Sequence, residues 1–155
     1  MFAALALFLL FLQLAYQTLN GGDPSYYSIE VVASYPHDES AFTQGLVYHD
    51  GVLYEGTGLR GRSSLRIVEL FTGEVIRQVD LPADYFGEGI TVLDGLVYQV
   101  TWEEGVGFVY SADDLTEIRS FSYGGEGWGL THDGDSLILS NGSSTLSFRD
   151  PDTFR

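Results

Sequence analysis

Three stretches of this sequence share one pattern: QGLVYHDGVLYEGTG from Gln44, EGITVLDGLVYQVTW from Glu88 and WGLTHDGDSLILSNG from Trp128. Each opens on a residue followed by glycine, runs through a short apolar strand to an Asp-Gly pair, and continues into a second apolar strand. The pairs are Asp50-Gly51, Asp94-Gly95 and Asp133-Gly134. Asp-Gly supplies the positive φ that a two-residue hairpin needs, so each is a strong hairpin signal. The openings at 44, 88 and 128 are spaced by 44 and 40 residues. Further strand-and-turn text fills each interval: SLRIVEL, FTGE and VIRQVDL in the first, GFVYS, ADDL and TEIRSFSY in the second. In the third, Asn141-Gly142 gives another hairpin signal before STLSFRDPDTF. Four short antiparallel strands recurring every 40–45 residues are the signature of a β-propeller blade. The chain is therefore read as all-β, a propeller represented by about its first three blades.

Composition agrees with that reading. Nineteen glycines, ten Tyr and ten Phe favour sheets whose aromatics pack and whose glycines turn. With no cysteine, disulfides, thiolate metal sites and a Cys nucleophile are excluded. The formal charge is −15 and every basic residue is Arg, so nucleic acid and anionic lipid are unsuitable partners. An acid-rich, lysine-free surface suits a salty medium, where screening relieves self-repulsion.

The N-terminus differs in kind. MFAALALFLLFLQLAY, residues 1–16, is uncharged and apolar apart from Gln13. Residues 1–19 are expected to form a signal peptide or membrane anchor, which predicts an exported protein, extracellular or periplasmic. NGGDPS, residues 20–25, reads as a linker. The propeller then occupies 26–155, beginning with YSIEVVASY (27–35), whose alternation predicts a strand that closes the ring. Fewer than three full blades fall short of closure, so the chain is expected to be part of a longer protein that is monomeric when full length.

Blades are radial, with each first strand lining the central channel. Gln44, Glu88 and Trp128 are thus expected to ring one funnel, with Phe42 and Phe86 two residues before the first two openings. The glycines beside them are expected to let a substrate approach the backbone. Among Phe86, Trp128 and Trp102, Glu88 would be desolvated and its pKa raised, as suits a proton carrier. An acid in a glycine-rich turn is nevertheless more often a solvated turn residue, and propellers host many binding modules without chemistry. The repeat alone leaves both readings open.

Other constellations carry less. GTGLRG (56–61) matches a dinucleotide fingerprint by letter, but RSSLRIVEL after it alternates like a strand instead of opening a helix. His37, His49 and His132 lack metal-site spacing and read as solvated turn residues. No Gly-x-Ser-x-Gly elbow is present. Asn141-Gly142-Ser143 is a glycosylation sequon by letter, and its hairpin role explains it as well.

Six strings, YPHDESAFTQGL (35–46), YEGTGLRGRSSLR (54–66), YFGEGIT (85–91), YQVTW (98–102), GEGWGLT (125–131) and DPDTF (150–154), together resemble the plant and bacterial glutaminyl-peptide cyclotransferases. The resemblance implies a five-bladed β-propeller that turns an N-terminal glutamine into pyroglutamate and releases ammonia, with no metal or other cofactor. It gives Glu88 the place of the proton-shuttling glutamate, and gives Phe42, Gln44, Phe86 and Trp128 the substrate pocket, which Trp102 is expected to join. Arg60, where an aromatic is expected, and Asn141, where Asp is common, depart from the pattern. The last two blades and their pocket residues are missing from it, so this chain alone is expected not to turn over substrate.

Overall fold

The computed structural model describes residues 26–155. The expected leader or anchor and the linker lie outside the described residues. No helix among the described residues is long and apolar enough to cross a membrane. The chain divides into Met1–Ser34 and Tyr35–Arg155. In the first unit, residues 26–34 carry no regular element, and the strand expected at 27–35 does not form. Alternation marks a segment that could pair, but a strand exists only through ladder bonds to a neighbour. The described sheets are built from later residues.

The second unit is all β. Strands β1 (Thr43–His49), β2 (Val52–Thr57), β3 (Ser64–Val68) and β4 (Val75–Asp80) form one antiparallel meander. Strands β5 (Gly87–Leu93), β6 (Leu96–Thr101), β7 (Val106–Ser111) and β8 (Glu117–Ser122) form a second in the same order. Strands β9 (Leu130–His132), β10 (Leu137–Ser140) and β11 (Leu146–Arg149) form a third. These are successive blades of a β-propeller.

The hairpins follow the sequence with one shift. Asp50 and Gly51 (φ 48° and 90°) turn β1 into β2, and Asp94 and Gly95 (φ 51° and 73°) turn β5 into β6. At the third site His132 pairs with Leu137 and Asp133 faces Ser136, so the two turn residues are Gly134 and Asp135 rather than Asp133-Gly134. The Asp133 carboxylate accepts from the backbone N–H of Asp135 at 3.0 Å and of Ser136 at 2.8 Å. An Asx turn thereby takes the place of a left-handed Asp. Asn141-Gly142 likewise lies in a five-residue connection, since Ser140 pairs with Leu146.

The core is divided by the middle blade. Val97, Phe108 and Tyr110 of blade 2 pack with Tyr54, Leu65 and Ile67 of blade 1. Tyr98, Val100 and Val109, the alternate positions, pack with Leu130, Leu137 and Leu139 of blade 3. Buried on both faces, β6 and β7 read as nearly continuous apolar runs instead of alternating ones. The DPDTF turn adds Phe154, which stacks on Phe121 with centroids 3.9 Å apart. The opposite faces of blades 1 and 3 expose Leu46 and Tyr48, and Leu146 and Phe148, respectively.

Candidate active site

The first strands β1, β5 and β9 lie side by side, which brings the three openings together. A pocket of about 410 Å³ is lined by Phe42, Gln44, Phe86, Glu88, Trp102 and Trp128. All six residues singled out from the sequence meet there.

Two equivalent irregularities aim the polar pair. In β1 the register shifts between Thr43 and Gly45, leaving Gln44 without a partner on β2. In β5 it shifts between Gly87 and Ile90, at Glu88 and Gly89. Such bulges bend a strand and redirect the side chain of the extra residue. Here they direct Gln44 and Glu88 at one another, and Gln44 Nε2 donates to Glu88 Oε1 at 2.9 Å.

The glycines around Glu88 serve packing, which corrects the expectation that they admit a substrate. A Cβ on Gly89 would stand 2.4 Å from the carbonyl oxygen of Trp128, and one on Gly45 2.7 Å from the Ile90 nitrogen. A Cβ on Gly87 would stand 2.7 Å from the carbonyl oxygen of Thr57. What approaches these glycines is the neighbouring blade. The Gly89 N–H donates to Trp128 O at 2.8 Å, sewing blade 2 to blade 3 beside the pocket.

Aromatic rings form the walls. Phe42 and Phe86 hold matching places, their carbonyls accepting from Gly58 and Trp102, respectively. The two rings meet edge to face at 6.2 Å, and Phe86 meets Trp102 at 5.6 Å. Phe42 and Trp128 remain about half exposed, at 49% and 47%, and form the open side.

Glu88 is half-buried among these rings, and the loss of water pushes its pKa up to about 7. Gln44 opposes this by donating to the ionised form, while the negative charge of Glu104 adds to it. A carboxyl near neutrality can accept a proton in one step and return it in the next.

Glu126 and Glu104 lay beyond the sequence reading, and Arg60, named there only as a departure, joins them at the site. Glu126 Oε2 accepts from Trp102 Nε1 at 3.0 Å and from Trp128 Nε1 at 2.7 Å. Its signal was available, since it stands two residues before Trp128 as Phe42 and Phe86 stand before Gln44 and Glu88. Glu104 acts on Glu88 through its field, which no spacing announces. Arg60, the departure from the family pattern, lies over the Trp102 ring at 5.9 Å and pairs with Glu103 at 3.0 Å and Glu104 at 2.7 Å. A cation over the ring face is attracted by the ring's quadrupole.

Away from the pocket, His37 is solvated as expected, its side chain 45% exposed, but it also has a partner. Its Nε2 lies 2.8 Å from Oε1 of Glu55, a carboxylate only 1% exposed that also accepts from Thr43 Oγ1 at 2.5 Å. His49 stays near the exposed Asp50 at 3.4 Å. No cluster that could hold a metal ion occurs among the described residues. GTGLRG ends β2 and continues as a loop with Leu59 and Gly61 at φ 81° and 78°.

Comparisons with known proteins point one way. The profile of a family described as glutamine cyclotransferase matches residues 3–155. A glutaminyl-peptide cyclotransferase of Arabidopsis thaliana is 46% identical over 129 residues, 82% of this chain and 40% of the plant protein. The crystal structure of Myxococcus xanthus glutaminyl cyclase superposes with a TM-score of 0.75 at 36% identity, covering 81% of this chain and 53% of the bacterial one. The Pan2 WD40 domain of Neurospora crassa, at a TM-score of 0.62 and 11% identity, shares the fold alone. The chain thus spans about half the length, or less, of the cyclases it matches.

Proposed function

This chain belongs to the glutamine cyclotransferase family, and on that premise we propose that it supplies the Glu88 pocket of a glutaminyl-peptide cyclotransferase. The reaction is an intramolecular acyl transfer on a peptide with N-terminal glutamine. The substrate's α-amine nitrogen attacks the carbon of its own γ-carboxamide, forming a C–N bond and a five-membered ring. The tetrahedral centre then collapses, the bond to the carboxamide nitrogen breaks, and ammonia leaves.

The proton balance falls to Glu88. Its carboxylate takes the proton that the attacking nitrogen sheds and returns it to the departing nitrogen, so nothing is consumed. Acid–base help of this kind contributes roughly 10²–10⁴-fold. Gln44 holds the Glu88 carboxylate and orients the substrate amide. Phe42, Phe86, Trp102 and Trp128 hold the side chain folded back on its own amine and displace water, which makes attack intramolecular in geometry as well as in name.

The single observation that carries the proposal is Glu88 itself: a half-buried carboxyl with a pKa of about 7, held by Gln44 between aromatic walls. The test is to incubate the full-length protein with a glutaminyl peptide and follow ammonia and pyroglutamate. Turnover should collapse in Glu88→Gln with folding intact. Unchanged turnover in that variant removes Glu88 from the mechanism, and no turnover in the parent leaves a binding module. Export through residues 1–19 completes the proposal. Fractionation with and without that segment tests it, and an unchanged distribution would refute it.

A further inference from the structure

The sequence holds two tryptophans, and both line the pocket. They come from different blades: Trp102 follows β6, and Trp128 precedes β9. Their indole N–H groups nevertheless share a single acceptor atom, Oε2 of Glu126, at 3.0 and 2.7 Å. An indole nitrogen can only donate, so the direction of each ring within its plane is set by where that one oxygen sits. Trp128 has little other freedom. Its backbone N–H donates to Ser140 O at 3.0 Å and its carbonyl accepts from Gly89. Its six-membered ring lies so close over Gly142 that a Cβ there would stand 2.7 Å from it. Trp102, in turn, meets Phe86 edge to face at 5.6 Å and carries the Arg60 guanidinium over its ring at 5.9 Å.

We propose that Glu126 is a positioning residue that fixes the two indole walls as one unit and thereby sets the width of the pocket facing Glu88. It touches no reacting atom. Its oxygen lies at the seam between blades 2 and 3, so any shift of one blade against the other moves both rings. This deepens the reading of the pocket as a substrate site and rests on that reading only for its kinetic consequence.

The test exploits the tryptophan count. In a 15N-correlated proton spectrum of this chain the indole N–H groups give two signals. Glu126→Ala should shift both and speed the exchange of both with water. Glu126→Gln, which keeps an acceptor oxygen at the same reach, should move them less. Trp128→Phe should shift the Trp102 signal, because it frees the shared oxygen. An indole signal unmoved in Glu126→Ala overturns the proposal, as does a Gln variant identical to the Ala variant. In the full-length protein, kcat/KM for a glutaminyl peptide should fall roughly a hundredfold in Glu126→Ala, the scale of a misplaced binding wall. It should recover largely in Glu126→Gln. A loss that merely tracks the unfolded fraction, with no recovery in the Gln variant, also overturns it. A full-length parent that turns over nothing refutes the proposed reaction instead, and the two indole signals still decide the role of Glu126.

Discussion

Gly89→Ala separates two explanations for the glycine beside Glu88. A Cβ there would meet Trp128 O at 2.4 Å, Leu130 N at 2.6 Å and Gly129 C at 2.9 Å, all backbone atoms that cannot swing aside. Gly89 does not have a left-handed φ, so the penalty comes from contact and not from conformation. Relief to an acceptable approach of 3.0 Å requires β9 to retreat by about 0.6 Å, which stretches the 2.8 Å Gly89–Trp128 hydrogen bond past useful length. Overpacking of this kind costs about 1–3 kcal/mol, and the lost bond about 1 kcal/mol more. The sum is about 2–4 kcal/mol. Urea unfolding followed by the fluorescence of the two tryptophans should register it as a midpoint lower by roughly 1–2 M at a slope of about 2 kcal/mol per molar. Gly124→Ala is the control, since nothing lies within 4 Å of its Cβ and its φ is ordinary. That variant should match the parent or gain about 0.4–1 kcal/mol. If Gly89→Ala unfolds at the same urea as Gly124→Ala, the packing argument is wrong. Weaker binding of a glutaminyl peptide without lost stability would show that Gly89 serves substrate access instead.

Further outcomes follow from the charges. Because burial raises the Glu88 pKa above its unfolded value, the unfolded chain releases that proton first. Stability therefore falls as pH rises from the ordinary carboxyl value of 4.5 to about 7 and levels beyond it. In Glu88→Gln that part of the slope should vanish, and an unchanged pH–stability curve would refute the assignment. Glu104→Gln removes a negative field from Glu88, so the Glu88 midpoint should drop; a midpoint that rises or stays put contradicts the coupling. With a net charge of −15, the melting temperature should climb as salt is added, and a flat response would show that self-repulsion is not a factor in this fold.

The blade count and the pocket's membership were legible because symmetry carries them: residues at one offset in successive repeats meet at one axis. The Asp-Gly turns were legible because left-handed φ restricts the residue choice, as Asp50-Gly51 and Asp94-Gly95 illustrate. At Asp133 the same letters make a different turn, because the carboxylate caps two N–H groups and the glycine moves to the first turn position. Residues 27–35 show the limit of alternation, which detects a face but not the partner that would cover it. The glycines misled for a related reason. Close approach was correctly inferred, but a sequence does not state whether a ligand or a neighbouring strand approaches. Glu55 shows how little of burial is visible: an acid among glycines and tyrosines proves to be 1% exposed and bonded to His37 and Thr43.

Everything turns on whether the Glu88 carboxyl is held near neutrality by the walls around it. Following its side-chain carboxyl carbon by 13C NMR across the pH range, with Glu88→Gln to assign the signal, reads this directly. A midpoint at about 7 is the predicted result. A midpoint at the ordinary 4.5 would mean that the pocket does not desolvate the acid, and Glu88 would then lack the property that fits it to carry a proton.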